Sequence, residues 1–154
     1  FLAASVIGQF ELTLQKVVAL AVLMPIVAGV GGNAAVQVLT LMVRGIALGQ
    51  VGPSNARILL WKELRVALIN GTLIGLLVGV IAFLWFHSWL LSIVITLALM
   101  INFCAAALAG VLLPLLLKRM NVDPAVAGTV VVTAVTDVMG FFSFLGLATL
   151  ILLH

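Results

Sequence analysis

Thr129, Thr133 and Asp137 step by four residues through a stretch, Pro124 to His154, in which Asp137 is the only charged side chain. Residues four apart share one helix face, so a carboxylate and two threonines form one polar stripe, with Thr136 and Gly140 beside it. A carboxylate at the centre of a bilayer costs about 2.5–3.5 kcal/mol on insertion scales, and its usual uses are an ion path, a proton relay or a counter-ion. Carboxylate, hydroxyl and backbone carbonyl are hard oxygen donors that suit Mg, Ca or Mn better than zinc or copper. One carboxylate cannot enclose a bare cation, but Mg holds several of its waters and binds through one or two carboxylates. A two-fold axis that repeats Asp137 would place two carboxylates across one hydrated ion. The competing reading pairs Asp137 with Arg44, which sits near the far end of its own apolar stretch.

A second polar stripe precedes it. Pro25, Gly29, Gly31 and Gly32 interrupt an apolar run, and Asn33, Gln37, Thr40 and Arg44 follow at helical spacing. Proline removes a backbone donor and glycine loosens a helix. Freed carbonyls at membrane depth are tolerated where protein or a water-filled cavity satisfies them. The stripe therefore reads either as a pore lining or as hydrogen-bonding glue between helices. Gly71, Gly75 and Gly79 form a small-xxx-small ridge, which means close packing. Asn102 is a lone amide read as structural, Cys104 a small core hydrophobe, and His87 an interfacial residue.

These residues need membrane helices to position them. The chain has 154 residues, 66% hydrophobic and 7% charged, against about 25% charged in soluble domains. Lipid must be the solvent for much of it, and lipid is its first partner. Val17–Val43 carries no charge, nor does Val66–Leu117, which is long enough for two spans of about 20 residues. Trp85-Phe86-His87-Ser88-Trp89 breaks that interval, and Trp favours the interface. The spans are 17–43, 66–86, 89–117 and 124–153, preceded by an apolar remnant at 1–9 expected to be part of a truncated first helix in a longer protein. The expected fold is an all-α membrane bundle of five transmembrane helices, the first partial. Basic residues gather at 44–65 and 118–123, whereas the Trp hairpin has none. By the positive-inside rule those loops are cytoplasmic, the hairpin and C-terminus external, and Lys16 the one basic residue outside. The cell membrane is the expected location. A net charge of +3 without a basic stripe argues against nucleic acid.

Pro25, Gly31-Gly32-Asn33-x-x-x-Gln37, Lys118-Arg119, Asp123-Pro124-Ala125 and Asp137 before Gly140 resemble the transmembrane domain of the MgtE family of magnesium channels. The resemblance runs over essentially the whole chain. It implies a homodimer of five helices per subunit, with a dimeric pore lined by the second and fifth. It implies hydrated Mg2+ at Asp137, with Mn2+, Co2+ or Ca2+ as further candidates, a contribution from the Thr133 backbone, and a further Mg2+ site at the cytoplasmic face involving Asp123. Asn33 becomes the pore amide, with Gln37, Gly32, Thr129, Thr136 and Gly140 lining the path. Cytoplasmic Mg-sensing domains are expected in the full-length protein. Ala35 stands where the family often has glycine, and Thr133 where it often has a smaller residue.

The function expected is passive divalent-cation conduction, not enzymatic. No Ser-His-Asp arrangement, zinc motif or P-loop accompanies Asp137. A proton-coupled secondary transporter with Asp137 as relay is the alternative; it would fit the broken helix but finds no inverted repeat.

Overall fold

A computed structural model describes residues 1–153; the Lys16 side chain and His154 lie outside the described residues. The described chain is helical throughout: α1 Leu2–Gln9, α2 Glu11–Lys16, α3 Val18–Ala47, α4 Ala56–Phe86, α5 Trp89–Arg119 and α6 Pro124–Leu152. The last four are long and apolar enough to cross a membrane. At 1.5 Å per residue each is about 45 Å long, beyond the roughly 30 Å hydrocarbon core.

The helices overrun the charge-free intervals at the basic end. α3 continues through Arg44 to Ala47 and α4 starts ten residues before Val66, so the 44–65 connection shrinks to residues 48–55. Arg and Lys are good helix formers whose stems reach along apolar surface to water, so a charge marks where the membrane ends and not where the helix does. Gly49, at φ +70°, ends α3, and the Gln50 and Val51 amides return to the Gly45 carbonyl at 2.9 and 3.1 Å. Asn55 ties the turn by accepting from the Gly52 amide and donating to the Gln50 carbonyl. His87 adopts the left-handed conformation that closes α4, and Ser88 caps α5 by accepting from the Leu91 amide. Asp123 caps α6 by accepting from the Ala125 amide at 2.9 Å, with Pro124 in the first turn, where a missing N–H costs nothing.

α5 is the central helix, packed against α3, α4 and α6. Leu20, Val27, Ile95, Leu99, Phe144 and Leu145 fill one core cluster, and Ala35, Leu39, Ala106 and Val132 another. α1 and α2 lie on α6, where Phe10 between them meets Phe142 edge-on and the Thr13 and Thr149 hydroxyls approach to 2.8 Å. α4 leans on α5 and turns Leu68, Leu73, Leu76, Val80 and Leu84 outward. A soluble protein could not leave so continuous an apolar face bare, whereas lipid covers it without cost.

The glycine ridge makes the α4–α5 contact. A Cβ on Gly75 would lie 2.9 Å from the Thr96 carbonyl oxygen, and one on Gly71 3.1 Å from the Met100 Cα. The close approach lets the Thr96 hydroxyl donate to the Gly75 carbonyl at 3.0 Å and Ser92 to that of Gly79 at 2.6 Å. Gly75→Leu is expected to destabilise the protein by about 1–3 kcal/mol through overpacking. Leu76→Ala, one residue on and outward-facing, should stay within about 0.5 kcal/mol. Thermal melts in detergent check the pair; similar losses for both would show that the ridge is not the contact that matters.

Candidate functional site

α3 and α6 run antiparallel, and three close approaches fix their register. Leu39 Cδ1 lies 2.9 Å from where a Gly128 Cβ would sit, Thr133 Cγ2 lies 3.6 Å from the Gly32 position, and Val27 Cγ1 lies 3.1 Å from the Gly140 position. Residue numbers fall along α3 as they rise along α6. Asp137 therefore stands level with the Gly29–Val30 turn of α3, and Asn33 one turn nearer the basic end. Gly29 has open space where a side chain would point.

The two polar stripes both border the exposed side of this α3–α6 seam. Asn33, Gln37, Thr40 and Arg44 are exposed along α3, and Thr129 along α6, while Thr133 and Asp137 are half-buried at the seam's edge. Asp137 is near the midpoint of α6. The hydroxyls of Thr40, Thr133 and Thr136 are turned back on their own helix backbones. Thr133 donates to the Thr129 carbonyl at 2.9 Å and Thr40 to that of Val36 at 2.8 Å. Thr136 donates to the carbonyls of both Val132 and Thr133, at 3.1 and 3.0 Å. None of these bonds engages the Asp137 carboxylate, whose oxygens are left for water or an ion.

Three residues expected along the path are buried within the single chain. Thr136 is fully buried, and Gly140 is buried against Asn102 and Val27. Each lies seven residues from a member of the stripe, Thr136 from Thr129 and Gly140 from Thr133, about 20° away on the helix, so both border the stripe on the side that turns into the bundle. Gly32 is buried too and backs the Thr133 methyl. Gly32 and Gly140 let the helices meet closely, while the Thr136 hydroxyl is satisfied by its own helix. Asp123 is exposed at the start of α6, about 21 Å along the helix from Asp137, so one chain does not join the two carboxylates into a single site. Among the described residues no three of His, Cys, Asp and Glu gather around a common point. That suits a hydrated cation met by single carboxylates better than a stripped ion in a protein cage.

Asn102 is the polar residue whose place the sequence did not disclose. It is fully buried where α3, α5 and α6 meet, and its Nδ2 donates to the Val27 carbonyl at 3.0 Å. Its neighbours Gly31 and Gly140 lie far away in the chain, so no spacing announces the junction.

A family model described as "MgtE: Divalent cation transporter" matches residues 24–147. The chain is similar to proteins named magnesium transporter MgtE. It is 37% identical over 150 residues to that of Thermus thermophilus, covering 97% of this chain and 33% of the relative. It is 31% identical over 147 residues to that of Enterococcus faecalis, covering 96% and 32%. It is 29% identical over 148 residues to that of Bacillus subtilis, covering 96% and 33%. The chain thus spans about a third of the length of these relatives.

Proposed function

This chain belongs to the MgtE family of divalent cation transporters, and from that membership we propose that it forms the pore of a magnesium channel. The observation that carries the proposal is Asp137: a carboxylate at mid-helix, free of the hydrogen bonds around it, at the edge of a polar seam on the outside of the bundle. Two copies of the chain, each a bundle of five membrane helices with the first only partial, face each other across that seam. Asp137 of both holds Mg2+ through the ion's own waters, and Asn33 and the Thr133 backbone lie one turn below. Asp123 meets the ion at the basic end, taken as cytoplasmic by the loop charges. Relatives named magnesium transporters support the choice of ion. The coordination chemistry alone would also admit Mn2+, Co2+ or Ca2+.

The driving force is electrical. An ion of charge two gains about 4.6 kcal/mol on crossing 100 mV, enough to draw Mg2+ inward without a coupled reaction. In liposomes loaded with a Mg2+ indicator, uptake is expected to follow a potassium-diffusion potential and to ignore a pH gradient imposed at zero potential. Uptake that needs the pH gradient would instead make Asp137 a proton relay in a coupled transporter and end the channel reading.

A further inference from the structure

The Asn102 amide is fully buried at membrane depth, and its hydrogen bonding is only half satisfied. Nδ2 donates to the Val27 carbonyl on α3, while Oδ1 has no partner among the described residues. Buried polar groups that stay unpaired are uncommon and call for an explanation. The surroundings are built for this side chain. The place of a Gly31 Cβ is occupied by Asn102 Nδ2, and the place of a Gly140 Cβ lies 2.7 Å from the same nitrogen. Any larger residue at either position would push the amide off Val27.

The bond it makes is in a telling place. In an α-helix the Val27 carbonyl is the partner of the Gly31 amide, so Asn102 rests on the acceptor end of one α3 hydrogen bond. The unpaired Oδ1 lies 3.1 Å from the Gly31 Cβ position. A side-chain amide can serve both ends of such a bond, donating to the carbonyl and accepting from the N–H. Asn102 makes the first contact and keeps the second in reserve. The turn it holds follows Pro25, which already leaves one α3 carbonyl without its helical donor. The same turn runs into Gly32 and Asn33. On the other side, Gly140 is three residues beyond Asp137, less than one turn.

We propose that Asn102 is a positioning residue for the cation path: its amide pins the Val27–Gly31 turn of α3 against the Asp137 stretch of α6 and so sets the width of the seam that a hydrated ion meets. The proposal rests on the function argued above, in which the ion passes Asp137. Asn102 touches no ion. Its effect reaches the path through the two helix backbones it holds, much as outer-shell partners of metal ligands tune the ligands they orient.

Three variants separate the outcomes: Asn102→Leu, which keeps the branched shape and removes both hydrogen-bonding ends, Asn102→Ser, which is too short to reach Val27 and overpacks nothing, and Asp137→Asn. Each is purified, checked for folding by size exclusion, and assayed in liposomes for half-saturating Mg2+ and for the ratio of Mg2+ to Ca2+ flux per folded protein. Both Asn102 variants are expected to shift half-saturation by about tenfold and the flux ratio by roughly threefold or more. If Asn102→Leu is not recovered folded, Asn102→Ser decides. Unchanged half-saturation and ratio, with Asp137→Asn inactive, would reduce Asn102 to packing and leave the channel standing. Normal flux in Asp137→Asn would instead remove the channel reading itself.

Discussion

Asp137→Asn loses at least about nine-tenths of Mg2+ flux and gains stability. The substitution keeps the size of the side chain and removes its charge. A divalent ion held through one water, about 5 Å from a carboxylate in an effective dielectric near 20, feels a gross attraction of roughly 7 kcal/mol. Desolvation offsets most of it. If only a fifth survives, about 1.4 kcal/mol remains, a factor of ten in occupancy. The gain in stability comes from the other side of the ledger. An ionised carboxylate at mid-membrane is expensive, and the hydrogen bonds of Thr133 and Thr136 compensate none of that, since both hydroxyls donate to backbone carbonyls of α6. A carboxylate kept for structure would behave oppositely, because deleting one partner of a buried pair leaves the other uncompensated. Flux in liposomes and thermal melting in detergent, measured on the same preparation, read both signs. Unchanged flux, or a melt that falls with Asp137→Asn, would contradict the role assigned to this residue.

The features that sequence made legible are those that lipid itself reads. Lipid excludes charge, so charge-free intervals located the four long helices, and Trp85 and Trp89 located the α4–α5 turn that His87 and Ser88 close. Helix ends at the basic side were not legible, because Arg44 and Arg57 continue a helix into water as readily as they would begin a loop. The four-residue spacing put Thr129, Thr133 and Asp137 on one face, and the structure keeps them toward the outer side of the seam. Helical spacing alone did not show that Thr136 and Gly140, about 20° from Thr129 and Thr133 on the helix, are buried in the bundle, because that depends on how far α3 and α5 cover the stripe at each depth. The junction of Asn102, Gly31 and Gly140 joins three helices. A single sequence carries no mark of which distant glycine leaves room for which amide.

Two copies of this chain are expected to cross-link through α6 and not through α4. The two faces offer lipid different surfaces. α4 turns out Leu73, Leu76 and Val80, which hydrocarbon accepts. The α3–α6 side turns out Asn33, Gln37 and Thr129 beside the half-buried Asp137, and unsatisfied polar groups in hydrocarbon cost several kcal/mol each. That side must be covered by something polar or wet, and a second copy would supply both a matching stripe and a second carboxylate for one hydrated ion. Val130 is two turns before Asp137, so it lies on the same face, and it is 74% exposed. A disulfide needs Cα atoms about 4.4–6.8 Å apart, so Val130→Cys and Ala134→Cys, one turn apart, sample the approach at two depths. With the native thiol removed as Cys104→Ala, oxidation in native membranes is expected to convert at least one of them almost wholly to a dimer that reducing agent reverses. Leu76→Cys in the same background should remain monomeric. A dimer through Leu76 with none through α6 would place the two-fold axis away from Asp137 and overturn the shared site, leaving the ion a single carboxylate.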